Sequence, residues 1–261
     1  MHASSAWDGP RGAALDDVSL AVHAVRAGGA MASSYFGRTI AVTSKSQRSD
    51  VVSEADLTVE RFLVGLLHER RPADGVLAEE GSSRPGARTW VLDPLDGTQN
   101  FVRGDGYWCT AIALTDERGT AVSAIHHPTT GDTYWAVRGA GAWCNGQRLV
   151  VPPDCPLESA QLAAFLDTGG NDLQVLAAVV ARVATTRMRG SGSLELAWLA
   201  RGLLDVWLQR AVPPWDWLPG ALIVTEAGGC AEVFPAFGST WYAACGPKAR
   251  DELLDIFRGS K

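Results

Sequence analysis

The sequence predicts an α+β protein in which helices are layered on mostly antiparallel sheets. Apolar residues recur at near-helical spacing at the start of the chain and again late in it. Between residues 76 and 137, short apolar runs are punctuated by glycine turns. The close spacing of those runs favours hairpins over long crossovers, and therefore antiparallel pairing.

The elements follow in order. Met1 to Gly12 lacks the charged start and apolar block of a signal peptide and reads as a loose tail. From Ala13 to Phe36, the spacing of Leu15, Val18, Val22, Val25 and Met31 predicts a long helix, which Gly28-Gly29 weaken in its later part. Lys45 to Asp56 is polar. A second helix is expected over about Leu57–Glu69, with Phe62, Leu63, Leu66 and Leu67 inward, broken by Pro72-Ala73-Asp74-Gly75. Strands are expected at Val76–Ala78, Trp90–Leu92, Tyr107–Leu114, Ala121–His127 and Thr133–Val137, with turns at Gly119, Gly131 and Gly139-Ala140-Gly141. Pro152-Pro153 and Pro156 mark a boundary between an N-terminal half, 13–152, and a C-terminal half, 153–261, which together form one compact unit. Beyond it the patterns predict helices over Leu173–Val183 and Leu194–Ala200 and a strand over Leu203–Leu208. A last helix, Ala221–Ala227, is entered at Trp215-Asp216 and closed by Gly228-Gly229. No internal repeat, low-complexity tract or heptad pattern is present.

Bulk properties narrow the function. The 261 residues are 46% hydrophobic and 20% charged, an ordinary folded composition able to bury a large core. A net charge of -6 argues against a general nucleic-acid or anionic-membrane binder. No apolar run approaches the roughly 20 residues needed to span a bilayer. The five cysteines, odd in number and without a Cys-x-x-Cys pair, point to free thiols in a reducing cytoplasm. Cys109, in an apolar strand, reads as core.

The chemistry concentrates in residues 90–101. There an apolar strand runs into Asp93 and Asp96, held three positions apart around Pro94 and followed by Gly97 and Thr98. Two nearby carboxylates repel, and one would take up a proton unless a divalent ion favours both charges. Hard cations prefer such oxygen ligands. An Asp-Pro-Leu-Asp-Gly-Thr segment is equally what a plain turn requires. If the segment after the turn is helical, its free N–H groups face an anion; Thr98 could orient a water or simply cap that helix. Glu79-Glu80 follow a short strand, and one of them could reach the same site. Asp216 could be an N-cap, with Pro219 in the first turn of its helix. His126 and His127 alternate across a strand and read as structural. Gly190-Ser191-Gly192-Ser193 resembles a phosphate loop only loosely, lacking the P-loop lysine. Arg187 and Arg189 beside it could meet a substrate or a partner subunit.

These segments together resemble the inositol monophosphatase family. Its hallmarks are a Glu-Glu element, Asp-Pro-x-Asp-Gly-Thr-x-x-Phe, and a later Trp-Asp followed by Glu-Ala-Gly-Gly. Here they stand in order as Glu79-Glu80, Asp93 through Phe101, Trp215-Asp216 and Glu226 through Gly229. Weaker echoes are Lys45 with Asp50 through Asp56, Gly139 through Gly146, and Gly190-Ser191 ahead of a helix. The resemblance covers about residues 13–257. It implies a layered αβαβα sandwich, usually a homodimer. The implied metal ligands are Glu79, Asp93, Asp96, Asp216 and the carbonyl of Leu95, holding two or three Mg²⁺ ions. Glu79, Asp56 and Thr98 are the implied catalytic residues, the last two positioning the attacking water. Gly97, Thr98, Gly192, Gln209 and Asp216 are the implied substrate contacts, the Gly97 and Thr98 amides cradling the phosphate. The implied reaction is in-line hydrolysis of a small phosphomonoester by a metal-activated water, without a phosphoenzyme.

Departures bear on the substrate. Relatives acting on inositol phosphate carry Glu seven residues before the Trp-Asp aspartate, where this chain has Gln209. Pro213-Pro214 and Trp217-Leu218-Pro219 surround Asp216, where relatives more often show Val-Ala-Ala. Asn100 through Gly104 and Asp74 through Glu80 look like actinobacterial histidinol-phosphate phosphatases. The expectation is a neutral polyol, cyclitol or sugar phosphate, with histidinol phosphate as the alternative. A nucleotide 3′-phosphatase fits less well, since no insert is present to hold a base. A regulatory or binding protein on the same fold is the alternative from another class. No nucleic-acid or membrane partner is expected.

Overall fold

The computed structural model describes residues 13–44, 51–151, 155–165 and 172–259. The expected tail at 1–12, Lys45, Asp50 and the Pro152-Pro153 boundary lie outside the described residues. The N-terminal elements are α1 (Ala13–Ser33), β1 (Val42–Ser44), β2 (Val51–Ser53) and α2 (Glu54–Arg70). Next come β3 (Gly75–Ala78), β4 (Ser83–Arg84), β5 (Thr89–Asp96) and α3 (Thr98–Val102). An antiparallel run follows: β6 (Cys109–Asp116), β7 (Gly119–His127), β8 (Asp132–Val137), β9 (Gly141–Cys144) and β10 (Gln147–Arg148). Then come β11 (Gln161–Ala164), α4 (Asp172–Val180), β12 (Thr185–Arg187), α5 (Gly192–Ala200), β13 (Val206–Arg210) and α6 (Pro214–Glu226). The chain closes with β14 (Cys230–Ala236), β15 (Ser239–Cys245) and α7 (Pro247–Gly259).

The glycine pair does not weaken α1. A Cβ on Gly28 would stand 3.2 Å from Leu63 of α2 and 3.2 Å from Thr110 of β6, and one on Gly29 would stand 2.8 Å from His126 and Pro128. Both sit where the helix lies closest to its neighbours, so the space gained outweighs the propensity lost. Helix α2 begins three residues earlier than expected because Ser53 caps it. Ser53 Oγ accepts the Ala55 N–H at 3.2 Å, while Asp56 Oδ2 accepts the Ser53 N–H at 2.8 Å. This reciprocal capping box holds the first turn together.

Among the described residues, an eight-stranded sheet runs β10-β9-β8-β7-β6-β5-β3-β4 and a five-stranded sheet runs β12-β11-β13-β15-β14. The pairing is mostly antiparallel, as expected, but both sheets are mixed. β3 pairs parallel with β5, and β11 pairs parallel with both β12 and β13. The loops that look short in sequence do not join these strands. β4 intervenes in one case, and helices α4 and α5 provide the crossovers in the other, as parallel pairing requires.

Among the described residues, three buried clusters fill the four interfaces of five layers. In the first, α1 and α2 pack Val18, Val25, Val59 and Leu63 on Trp90, Leu92, Ile112 and Leu114 of the eight-stranded sheet. The opposite face of that sheet, through Cys109, Ala111, Ile125 and Tyr134, meets Leu194, Leu196, Trp217 and Ile223 of α5 and α6. Those helices also cover Ala163, Trp207 and Ala244 of the second sheet. The outer face of the second sheet buries Leu162, Val206, Leu208 and Ala243 under Leu176 and Val179 of α4 and Leu253 and Ile256 of α7. The order is αβαβα.

Candidate active site

The strand that carries the acidic pair is bent at the place that matters. Opposite β6, Asp93 pairs with Ala111 and Asp96 with Cys109, so three steps on β5 match two on β6. That extra residue is a β-bulge. In a regular strand, side chains three apart point to opposite faces; the bulge cancels the odd step and turns both carboxylates to the Ala111 and Cys109 face, toward α5 and α6. Pro94 contributes no N–H there, and Thr110 Oγ1 donates to its carbonyl at 2.9 Å. Asp93 Oδ1 accepts the Leu95 N–H at 2.9 Å, which fixes the carboxylate to its own turn.

Parallel pairing brings in Glu79. Ala78 lies opposite Leu92, and the Glu79 N–H donates to the Leu92 carbonyl at 3.3 Å, so Glu79 leaves β3 beside Asp93. The following turn is held from below by Glu60 of α2, whose carboxylate accepts the N–H groups of Glu80 at 2.7 Å and Ser82 at 3.0 Å. Glu60 is buried and had no recognisable sequence signal.

Thr98 is the first residue of α3, and Gly97, with φ 104°, is its N-cap. A Cβ on Gly97 would stand 2.9 Å from the Tyr107 carbonyl, so both the backbone twist and the space demand glycine. The Thr98 hydroxyl therefore does not cap the helix. It lies 2.8 Å from Asp56 Oδ1 and 3.1 Å from the Leu95 carbonyl. Asp56, wholly buried, spends its other oxygen on the α2 capping box. Burial raises the Asp56 carboxyl above its ordinary value, and its bonds to Ser53 and Thr98 pull it back.

Asp216 belongs to the first turn of α6, whose N-cap is Pro213. It is not the N-cap itself, and Pro219 lies inside the helix rather than in its first turn. Helix α6 starts seven residues earlier than the apolar pattern suggested, because Pro214 is preorganised for a helix start. Ser193, at the start of α5, donates its N–H to Asp96 Oδ2 at 2.6 Å. Strand β13 runs over Val206–Arg210, two residues beyond the expected end, and so presents Gln209. Glu79, Asp93, Leu95, Asp96, Gly97, Thr98, Gly192, Gln209 and Asp216 all line one open cleft of about 210 Å³. Val51, Gln99, Phe165 and Gly190 complete its wall.

Electrostatics define what the cleft wants. Burial, then repulsion from Glu79, Asp96 and Asp216, lifts Asp93 well above the ordinary carboxylate range. Burial likewise raises Asp96 to about 6, although the Ser193 N–H bond lowers it. A cation among these groups would reverse both shifts. Among the described residues, no three His, Cys, Asp or Glu side chains are placed to hold a metal ion on their own. Mg²⁺ asks for less: it keeps several waters and uses one or two carboxylates plus substrate oxygens. The all-oxygen donor set fits that ion.

The first family comparison concerns nearly the whole fold: the inositol monophosphatase family profile matches residues 15–244. The chain belongs to this family. It is 37% identical over 189 residues to an inositol-1-monophosphatase of Rhizobium meliloti, covering 69% of this chain and 71% of that protein. It is 32% identical over 238 residues to Nus factor SuhB of Vibrio cholerae, covering 88% of each. The crystal structure of the extragenic suppressor protein SuhB from Bartonella henselae superposes with a TM-score of 0.88 at 27% identity, covering 94% of this chain and all of that one. Family membership supports phosphatase activity.

The inositol monophosphatase motifs divide into those at the cleft and those that brace it. Glu226, at the end of α6, is a brace: it accepts the N–H groups of Gly139 at 2.7 Å and Gly141 at 2.9 Å. Two stretches of the resemblance, Glu226 to Gly229 and Gly139 to Gly146, thus meet in one contact. Arg187 bonds Thr185 and Gln161 on β12 and β11, while Arg189 stacks 3.8 Å over the Tyr107 ring. His126 and His127 bond the carbonyls of Asp132 and Gly106, consistent with structural roles. Cys109 is buried, and burial pushes its thiol up. Asn100 was missed from sequence, and its amide ties two segments by donating to the carbonyls of Tyr107 at 2.8 Å and Arg189 at 2.7 Å. Glu195 was missed too; it is buried and accepts the Arg189 N–H at 3.1 Å and the Trp207 indole N–H at 3.2 Å. In sequence these look like ordinary helix residues.

Proposed function

We propose that the protein is a Mg²⁺-dependent phosphomonoesterase that hydrolyses a small neutral polyol, cyclitol or sugar monophosphate by in-line attack of water. One observation carries this reading: the β5 bulge gathers buried, mutually repelling carboxylates at a cleft that Thr98 also lines, with the buried Asp56 bonded to it from behind. Glu79, Asp93, Asp96, Asp216 and the Leu95 carbonyl would hold the metal. When bound, Mg²⁺ would lower the pKa of a water and stabilise charge on phosphoryl and leaving oxygens.

The chain's own groups do the positioning. A hydroxyl has one hydrogen and two acceptor lone pairs. The shorter contact gives the Thr98 hydrogen to Asp56, at 2.8 Å, which leaves a lone pair to accept from a water in the cleft. The capping box keeps Asp56 from rotating away. The N–H groups of Gly97 and Thr98 face the phosphoryl oxygens; because α3 has only five residues, local N–H donors matter here more than a helix dipole. Gln209 offers both a donor and an acceptor without charge, which suits hydroxyls and forgoes the charge-assisted contact that an ammonium substrate would use.

Phosphate release from a panel of small monoesters, with Mg²⁺ and with EDTA, tests the reading. Turnover that needs Mg²⁺ and favours neutral esters is expected. Full activity in EDTA overturns the metal, and preference for histidinol phosphate over every neutral ester overturns the Gln209 argument. A second reading, a regulatory or binding role on the same fold, is raised by the relative named Nus factor SuhB. No release from any ester would leave that role standing alone.

A further inference from the structure

Resting on the phosphatase reading, we infer that Phe165 is a specificity-determining residue, a stacking platform that selects a cyclic leaving group over an acyclic one. Strands β11 and β13 run parallel, with Ala163 opposite Trp207 and Ala164 opposite Leu208. Phe165 follows the end of β11 and Gln209 lies one step on along β13, so extending that register sets Phe165 beside Gln209. Side chains alternate across a strand: Ala163 and Trp207 face the α5–α6 layer, whereas Ala164 and Leu208 face the outer core. Phe165 and Gln209 therefore share the inner face, and both line the cleft with Asp216 and Gly192.

Phe165 is 47% exposed, a large ring kept in water next to buried carboxylates. A lone exposed apolar side chain needs no explanation, but this one lies in the wall of the cleft, with Val51 as a second apolar contributor. The two ends of the cleft therefore differ in chemistry. The inner end, at Asp93, Asp96 and Thr98, suits the phosphate. The outer end pairs a flat apolar ring with a neutral amide. A cyclitol or pyranose presents a rigid C–H face to a ring and its hydroxyl edge to an amide. An open polyol chain offers no flat face and must freeze several bonds to lie against the ring. The selectivity belongs to binding, because Phe165 touches the leaving group and not the phosphorus.

The test compares myo-inositol 1-phosphate with glucitol 6-phosphate, phosphates of uncharged six-carbon polyols, one a ring with a secondary ester carbon and the other an open chain with a primary one. The wild type should favour the cyclic ester in kcat/KM. Phe165→Ala should lose roughly three- to tenfold on the cyclic ester, through KM, and change little on the acyclic one. Phe165→Leu, apolar but not flat, should fall between and serves as the variant if Phe165→Ala folds poorly. Equal losses on both esters, no loss on either, or a wild type indifferent to ring closure overturns the platform while leaving phosphatase activity intact. A wild type that releases phosphate from no ester in Mg²⁺ overturns the underlying reading as well.

Discussion

Asp93 sits where a negative charge is costly. Burial and the Glu79, Asp96 and Asp216 carboxylates raise its folded value above 3.8. A raised folded value means that its contribution to stability is complete below the unfolded value and is lost as pH rises through the folded one. Metal-free protein should therefore melt at lower temperature at pH 8 than at pH 5. Asp93→Asn, neutral at both, should reduce that slope in thermal melts run in EDTA. The same substitution should lower Mg²⁺-dependent turnover by orders of magnitude without unfolding the chain; a variant with wild-type kcat would remove Asp93 from the site. Thr98 makes a different demand. Its hydroxyl contacts Asp56 and does not cap α3, so Thr98→Ala should cut kcat about 10²-fold with little rise in KM. Steady-state kinetics decide this, and an unchanged kcat returns Thr98 to packing.

The capping box of α2 does two jobs with one carboxylate. Ser53→Ala removes the cap and should cost about 1 kcal/mol, read from denaturant unfolding. It also takes the Ser53 hydroxyl away from Asp56 Oδ2, leaving the Ser53 N–H as the remaining bond from the cap to that oxygen, so kcat should fall modestly alongside stability. A variant that loses stability but keeps full kcat would show that the Ser53 hydroxyl does not help to orient Asp56. Elements of this kind mark the limit of what the sequence discloses. The strands from Trp90 to Val137 and helices α1, α2 and α5 follow from apolar spacing, because each lays one face on a core. The bulge at Asp93–Asp96 does not, since a one-residue offset is a property of β5 against β6 rather than of either strand. Nor does the β3–β5 parallel pair, which depends on β4 leaving the line between them. The start of α6 is hidden by Pro213 and Pro214, which read as a break and instead nucleate the helix. The C-terminal hairpin and α7 carry readable signals that the expectations omit. Phe237-Gly238, both at positive φ, form the turn, and Pro247 opens α7. The cleft-lining residues Asp93, Asp96 and Thr98 were legible because they sit in one short motif. Glu60 and Glu195 were not, because each supports the cleft from elsewhere in the chain; Asn100 lies inside the motif, but its bonds to the carbonyls of Tyr107 and Arg189 depend on the fold.

Across the whole molecule, the cleft lies where the C-terminal ends of β3 and β5 meet those of β11 and β13, with α5 and α6 between. A cation held by Glu79, Asp93, Asp96 and Asp216 would join the eight-stranded sheet to α6. Mg²⁺ at about 100 times its Kd should therefore stabilise the fold by about 2.7 kcal/mol, raising Tm by several degrees for a chain of this size. Differential scanning calorimetry with and without EDTA measures this, and an unchanged Tm would argue that no ion binds the folded chain. The middle core has a consequence of another kind. It joins β6 and β7 to α6, whose Asp216 follows Glu79 by more than half the chain length. During synthesis the first three carboxylates leave the ribosome long before the helix that will cover them. Until then they are hydrated, and their mutual repulsion is screened by solvent. Closure of α6 over the sheet adds the Asp216 carboxylate and deepens the burial that raises Asp93, so the demand for a counter-ion reaches its full size only after α6 has been made, with β14, β15 and α7 still to follow.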